Sequence, residues 1–359
     1  MAHRTACPLA RPRAAAAGLL LPLLAALAAV AADPIVENAA HSGPKATIRF
    51  QFWGGPTELE QFTAITQAFV LRHPDVRVKL SVLPWGQYWA KLQTQAAGNI
   101  APDVIRLYSG AAADWFDRGV LLDLSPWARR DGLDLDAYFP VALQACRWPR
   151  PDAPHAGPAL YALPSDVPLR VLIYNKELFD RAGLSGAYPD PREPMTWEQL
   201  VDLGKKLTIV RDGKVVQYGF SLGPQLDLIL IHQAGGRLVD RPVAPTRSLA
   251  ATPEVVRGLR FYFDLQHTWR IAPDIGAQQE MGFGGGETPL LSGRVAMGIA
   301  GPWTFKVYRE SGLRLGLAPL FRGPHRAQIC TPNSNGVYRL SKHPEAAWRF
   351  VRFVASEEG

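Results

Sequence analysis

The sequence predicts an α/β protein organised as two lobes, and three observations carry that reading. An alternating segment, a helical segment and a second alternating segment open the chain, the order of a parallel βαβ unit. Strand-like runs then recur between helical stretches down to the C-terminus. The chain has 359 residues, more than a single hydrophobic core comfortably accommodates, even after an N-terminal leader is set aside.

Ala46 to Trp53 reads as the first strand, with Ile48, Phe50 and Phe52 alternating against Thr47, Arg49 and Gln51. Gly54-Gly55-Pro56 breaks it. Thr57 with Glu60 three residues on predicts a helix cap, and Leu59, Phe62, Ile65, Phe69 and Val70 recur at helical spacing. His73-Pro74 stops that helix, and Val76 to Leu80 alternates as the next strand. A second helix spans Tyr88 to Ala97 and ends at Gly98; Asp103 to Tyr108 follows as a short buried strand. Further strands are predicted at Val171 to Asn175, Tyr218 to Leu222, Val295 to Ile299, Leu313 to Leu317 and Gly336 to Leu340. Helices start at Trp197, Pro253 and Glu345. The proline-rich Pro149 to Pro158 is a surface connection or a crossing between lobes.

The N-terminus has the three parts of an export signal: Arg4, Arg11 and Arg13, the apolar run Ala14 to Val30, and small residues at Ala29-Val30-Ala31. Cleavage near residues 31–32 leaves a chain in the periplasm. Cys7 precedes the apolar run, so it is not placed as a lipid-anchoring cysteine. Removing the three arginines lowers the net charge from +7 to about +4. The remaining basic residues are scattered, and no Lys/Arg cluster interleaved with aromatics marks a nucleic-acid surface. Cys146 and Cys330 survive cleavage; they either pair or stay as two buried thiols, and their spacing does not decide which.

A nucleophile elbow, a zinc-type His-Glu-x-x-His helix, a Walker loop and a Cys-x-x-Cys pair are all absent from the sequence. Gly284-Gly285-Gly286 lacks the strand before it and the Lys-Ser/Thr after it that a phosphate loop needs, so it reads as a flexible loop. His232, on an apolar stretch, reads as a core residue. No cofactor or metal is expected. No carboxylate pair stands out for glycoside hydrolysis.

Five blocks carry a resemblance. They are Tyr88-Trp89-Ala90-Lys91-Leu92 through Gly98 with Ala101-Pro102-Asp103-Val104; Tyr161-Ala162-Leu163-Pro164 with Ile173-Tyr174-Asn175-Lys176-Glu177-Leu178-Phe179; Thr196-Trp197-Glu198-Gln199-Leu200; Gly293-Arg294-Val295-Ala296-Met297 leading to Gly301-Pro302-Trp303; and Ser341 to Trp348 with Phe350. In this order they resemble the family-1 extracellular solute-binding proteins, which include maltose- and glycerol-phosphate-binding proteins. The resemblance implies the two-lobed periplasmic-binding-protein fold of type II, with a hinge and a ligand cleft between lobes. It places one lobe at residues 45–165 plus 336–359 and the other at 166–335. Family members continue past the last block, so the resemblance also implies that closing C-terminal helices are missing here.

A sugar site needs aromatic platforms for C–H faces and paired polar groups for hydroxyls, at strand ends that face the cleft. Trp53 ends the first strand, and Gly54 beside it allows close backbone approach. Asp166, at the lobe crossing, offers a carboxylate to two hydroxyls. Asn333, Ser334 and Asn335 precede the final strand, and their small polar side chains suit a turn or a ligand rim. By resemblance, Tyr108 and Ser109 match a position where relatives contact substrate, as do Gln225 and Asp227. Gly301 and Trp303 match the segment that lays a tryptophan on the sugar face. Asp103, at the start of its strand, is expected to hold structure. Arg106, Arg170, Arg237 and Arg294 read as surface charges, or as favouring a phosphorylated or acidic ligand if one of them faces the cleft.

The function expected is the substrate-binding component of an ABC-type importer, closing about a hinge on a sugar, oligosaccharide or glycerol phosphate. Its partners are permease subunits, and the protein is a monomer, not an enzyme. Two other classes fit the same residues: an exported carbohydrate-acting enzyme, and a receptor subunit that senses ligand without transporting it.

Overall fold

The computed structural model describes residues 33–150, 157–242, 245–281 and 288–359. The expected export signal and the Gly284-Gly285-Gly286 loop lie outside the described residues. The chain opens with β1 (Ile35–Val36), β2 (Ala46–Trp53), α1 (Pro56–Arg72), β3 (Val76–Leu83), α2 (Trp85–Ala97), β4 (Val104–Tyr108) and α3 (Ser109–Asp117). It continues through α4 (Ser125–Arg130), α5 (Pro140–Gln144), β5 (Arg147–Pro149), β6 (Pro158–Leu160) and β7 (Leu163–Asp166). A second set follows: β8 (Val171–Asn175), α6 (Lys176–Arg181), α7 (Trp197–Leu207), β9 (Ile209–Arg211), β10 (Lys214–Phe220), α8 (Leu226–Gln233) and α9 (Pro253–His267). Then come α10 (Ile275–Glu280), α11 (Thr288–Leu291), β11 (Val295–Ala300), a 3-10 turn (Pro302–Thr304), α12 (Phe305–Glu310) and β12 (Leu315–Pro319). The chain closes with β13 (Asn333–Val337) and α13 (Pro344–Val354).

These strands form two separate main sheets, in the orders β1-β3-β2-β4-β13-β7 and β12-β8-β11-β10-β9. Each has its own core. Phe50, Phe52, Phe62, Phe69 and Phe350 fill the first, with Phe350 returning from α13 to stand 5.3 Å from Phe50 and 5.1 Å from Phe69. Trp197, Phe220, Leu230, Met297 and Phe321 fill the second. Two cores, each built on its own sheet, give the two-lobed α/β architecture.

The expected opening βαβ unit is present: β2 runs parallel to β3 through Trp53↔Leu83, and parallel to β4. The cap of α1 sits two residues earlier than Thr57 and Glu60 suggest. Its N-cap is Gly55, whose N–H donates to Glu58 Oε2 at 2.8 Å, because Pro56 is pre-set for a first helical position. Trp197 starts α7 as expected, with Thr196 and Gln199 closing a reciprocal capping box. The last strand is Asn333–Val337, three residues before the predicted one, because pairing to β4 on one side and β7 on the other overrides the poor strand propensity of its asparagines. Around the proline-rich stretch, Arg147–Pro149 and Pro158–Leu160 pair antiparallel as a local ribbon of the first lobe. His232 is exposed on α8, not in the core.

Asp131 ties the C-terminal helix to the first lobe. It accepts from Arg130 Nε at 2.7 Å, Trp348 Nε1 at 2.7 Å and Arg352 Nη1 at 2.8 Å. The Arg130 hydrogen bond, then that of Trp348, holds its carboxyl down at about 2. Cys146 and Cys330 are both free thiols, and burial pushes the Cys146 thiol up to about 12.

Candidate functional site

Strand direction decides which residues meet. Because β2, β3 and β4 are parallel, Trp53, Leu83 and Tyr108 finish at one edge of the first sheet. β13 runs antiparallel to β4, so its first residue, Asn333, lies opposite Tyr108; β7 runs antiparallel to β13, so Asp166 lies opposite Asn333. On the second sheet, Ala300 ends β11 opposite Val171, the first residue of β8. Arg170, just before β8, Gly301 to Trp303, just after β11, and Gln225, in the loop after β10, therefore share one edge. The chain crosses between these edges through residues 167–170 and again on the way to Asn333.

The first-lobe wall is aromatic with a charged floor. Trp53 packs edge-on to Trp85 at 5.1 Å, and Trp85 is in turn 5.4 Å from Tyr108. Trp85 stays 48 % exposed. Arg106 lies between the Trp53 and Phe62 rings, 5.1 and 4.9 Å from their centroids, and donates to Asp166 Oδ2 at 2.5 Å. Asn333 Nδ2 donates to the other oxygen, Asp166 Oδ1, at 2.6 Å, and Ser165 Oγ is bonded to Asp166 as well. Arg106 is nearly buried while the Asp166 side chain is 42 % exposed, so the carboxylate is fixed in direction yet faces the cleft. At the strand end Gly54 has φ +149°, and a Cβ there would meet the Glu58 side chain at 2.6 Å.

The second-lobe wall is built on Gly301. Trp303 folds back over it so closely that a Cβ on Gly301 would meet the indole at 2.0 Å. Trp303 is 43 % exposed, with the Arg170 guanidinium 5.8 Å from its ring centroid. Arg170 donates to the Gln225 amide oxygen, and the Gln225 amide nitrogen donates to the Tyr108 hydroxyl of the first lobe. A second contact between lobes joins Lys306 Nζ to Glu60 Oε2 at 2.9 Å.

A cavity of about 350 Å³ lies between these walls, lined by Trp53, Glu58, Gln61, Arg106, Asp166 and Asn333 of the first lobe and Pro302, Trp303 and Lys306 of the second. That volume is in the range of small-ligand sites. A larger cavity, about 950 Å³, lies between Asp131 to Ala142, the Pro164 to Val167 segment that ends β7, and the last residues of the chain, so Asp166 borders both cavities. No strand of the second sheet lines the larger one, so it lacks the two-sided character of the cleft. Among the described residues, no group of three or more His, Cys, Asp or Glu is placed to hold a metal ion. Nor is any described helix long and apolar enough to cross a membrane.

Residues 54–359 match the family model described as bacterial extracellular solute-binding protein. The chain belongs to this family. Solved structures agree on the fold of this solute-binding protein. It is 24 % identical to an ABC substrate-binding protein of Listeria monocytogenes in complex with cycloalternan, with a TM-score of 0.76 over 87 % of this chain and 76 % of that one. It is 26 % identical to the GacH receptor of Streptomyces glaucescens, described unliganded and with acarbose, with a TM-score of 0.68 over 88 % and 76 % of the two chains. Among curated relatives, the maltotriose-binding protein of Pyrococcus abyssi is 23 % identical, over 84 % of this chain and 60 % of its own length.

Of the residues singled out in the sequence, Trp53, Gly54, Tyr108, Asp166, Gln225, Gly301 and Trp303 come together around the cleft of the solute-binding protein. Ser109 is half-buried behind Tyr108, its N–H donating to the Pro332 carbonyl at 3.0 Å. Asp227, on the first turn of α8, is not among the residues lining the cleft cavity; burial, and then its charge, push the Tyr262 phenol up. Asn335 is 1 % exposed inside the first sheet, opposite Arg106, and neither its amide oxygen nor its nitrogen has a partner. Asp103 holds structure as expected, accepting from Arg49 N at 2.8 Å and Ser341 Oγ at 2.6 Å. Arg106 and Arg170 correct the expectation of surface charges, being 8 % and 5 % exposed, while Arg237 and Arg294 are exposed. Sequence reasoning missed Trp85 and Lys306, whereas Asn333, read as a turn or rim residue, does line the cleft cavity. Trp85 had a usable signal, since it follows the end of β3 as Gly54 follows β2.

Proposed function

We propose that this protein captures a sugar or sugar derivative in the cleft by hinge closure and presents it, unaltered, to the permease subunits of an ABC importer. The observation that carries the reading is the facing of indoles from opposite lobes, Trp53 on one side and Trp303 on the other, across the cavity that the oriented Asp166 carboxylate also lines. A pyranose offers each of these what it lacks: apolar C–H faces for the rings and hydroxyl donors for the carboxylate. The ligands named for the relatives, cycloalternan, acarbose and maltotriose, support a carbohydrate.

The energetics suit such a ligand. Stacking contributes about 1 kcal/mol per ring beyond area burial, and each good neutral hydrogen bond about 1 kcal/mol net. Micromolar affinity needs about 8 kcal/mol. Two or three indoles and the polar floor of Asp166, Asn333 and Tyr108 are of the right order. In this account the lobes are residues 45–165 with 336–359, and 166–335, with Asp166 and Asn333 to Asn335 moving with the first sheet to which they are hydrogen-bonded. Closure is a population shift toward a state in which both walls touch the ligand. The mature protein works as a monomer in the periplasm, since one chain supplies both walls.

A thermal-shift screen against mono-, di- and oligosaccharides, polyols and glycerol phosphates tests the proposal, with bound ligand recovered and weighed by mass spectrometry. A rise in melting temperature for one carbohydrate class, with the ligand recovered intact, is expected. A cooperative melt unmoved by every carbohydrate contradicts capture, and a hydrolysed ligand contradicts the binding-only role.

A further inference from the structure

We infer that the ligand carries an anionic group, a sugar carboxylate or a phosphate ester, that docks on Arg170. This rests on the carbohydrate reading above and narrows it. Arg170 is 5 % exposed at the edge of the second sheet. Its Nη1 donates to the Ile329 carbonyl at 3.3 Å, its Nη2 to the Gln225 amide oxygen, and its Nε has no partner. Among the described residues no carboxylate is paired with it; burial pushes its pKa down, opposed only by the Tyr108 hydroxyl and the Cys330 thiol.

The other charges of the cleft are accounted for. Arg106 has Asp166, Lys306 has Glu60, and Glu58 accepts the Gly55 N–H at the start of α1. Arg170 alone among these cations is held by neutral acceptors. A buried charge without a counter-charge is strongly disfavoured, and the planar guanidinium fork matches the paired oxygens of a carboxylate or phosphate. The Gln225 amide oxygen stands where such an oxygen would bond. Gln225 is held there in a left-handed conformation, φ 61°, that a residue with a side chain seldom adopts. An anionic oxygen is the better acceptor for Arg170. Taking that place, it frees Gln225 and the Tyr108 hydroxyl to bond the ligand from opposite lobes. Trp303, stacked against the same guanidinium, then receives the sugar ring that bears the group.

Calorimetric titration with two matched pairs tests this: galacturonobiose against galactobiose, and glucose 6-phosphate against glucose. In at least one pair the acidic member should bind about tenfold or more tightly, with an affinity that falls as salt rises. The first pair reads a carboxylate and the second a phosphate. Arg170→Gln should level the members of that pair. Gln225→Glu gives a check that does not depend on Arg170→Gln folding: it supplies the missing carboxylate, so it should raise the melting temperature and abolish the acidic preference. Equal or tighter binding of both neutral members overturns the assignment, as does a preference that survives Gln225→Glu. If neither pair binds while neutral sugars of the wider screen do, Arg170 is structural and capture of sugars stands. If no carbohydrate binds at all, both readings fall.

Discussion

Lys306 of α12 and Glu60 of α1 form an ion pair across the mouth of the cleft, Nζ to Oε2 at 2.9 Å. Each shifts the other in the direction of charge: the Lys306 hydrogen bond lowers the Glu60 carboxyl, and that of Glu60 raises the Lys306 ammonium. Both are solvent-exposed, so the pair is screened by salt and adds little to folding stability. Its effect is on the separation of the lobes. Glu60→Gln should leave the melting temperature unchanged and increase the radius of gyration in low-salt small-angle scattering. High salt should bring the unmodified protein to the same radius, and a radius indifferent to both changes would refute a latch.

Asp166 is oriented by Arg106 and Asn333, and its exposed oxygens are the acceptors offered to hydroxyls. Asp166→Asn keeps the shape while removing the charge-assisted bond to Arg106 and weakening acceptance from the ligand. A loss of about tenfold in sugar affinity is expected by calorimetry. The melting temperature should fall as well, because the buried Arg106 guanidinium loses its counter-charge, although the exposed Asp166 side of the pair is partly screened.

Gly301 is needed for what its neighbour does. A methyl group there would sit 2.0 Å from the Trp303 ring, so Gly301→Ala must displace the indole from the cleft. The substitution should reproduce most of the affinity loss of removing Trp303 itself, with an altered tryptophan emission maximum. Unchanged affinity in Gly301→Ala would mean that the ring position is immaterial to binding.

Asp131 gives the fold a definite acid limit. Its carboxyl is depressed to about 2 in the folded protein, chiefly by the Arg130 hydrogen bond, so its stabilising contribution is present above the ordinary aspartate value of about 4 and lost as pH falls toward 2. Asp131→Asn should therefore lower the melting temperature at neutral pH, and the gap between the two proteins should close between pH 4 and 2. A gap that stays constant over that window would show that the carboxylate's charge is not what holds α13.

Periodicity made the architecture legible. The alternation of Ile48, Phe50 and Phe52 marks β2 because one sheet face is fully buried, and Val171–Asn175 is found where it was predicted. Asn333–Val337 was misplaced because its strand character comes from pairing with β4 and β7, a long-range property that no local window contains. At the cleft, Trp53 and Asp166 drew attention because a glycine and a chain crossing flank them, and Trp303 by resemblance alone; all three line the cavity. The burial of Arg106 and Arg170 was not legible: a guanidinium is normally a surface group, and only the fold brings Asp166, 60 residues away, to Arg106. Asn335, read from its side chain as a turn or a ligand rim, is neither, because the register sets it within the sheet opposite Arg106.

Capture between indoles of opposite lobes is the central claim, and calorimetric comparison of the intact protein with Trp303→Ala, using the carbohydrate that raises its melting temperature, tests it most directly. The ring is 43 % exposed and packs on Arg170 at 5.8 Å, so its loss should leave the fold's melting temperature nearly unchanged. Affinity should fall about tenfold or more from lost stacking and area. An affinity equal to that of the intact protein would contradict the account, because the ligand would then be held without the second lobe's platform.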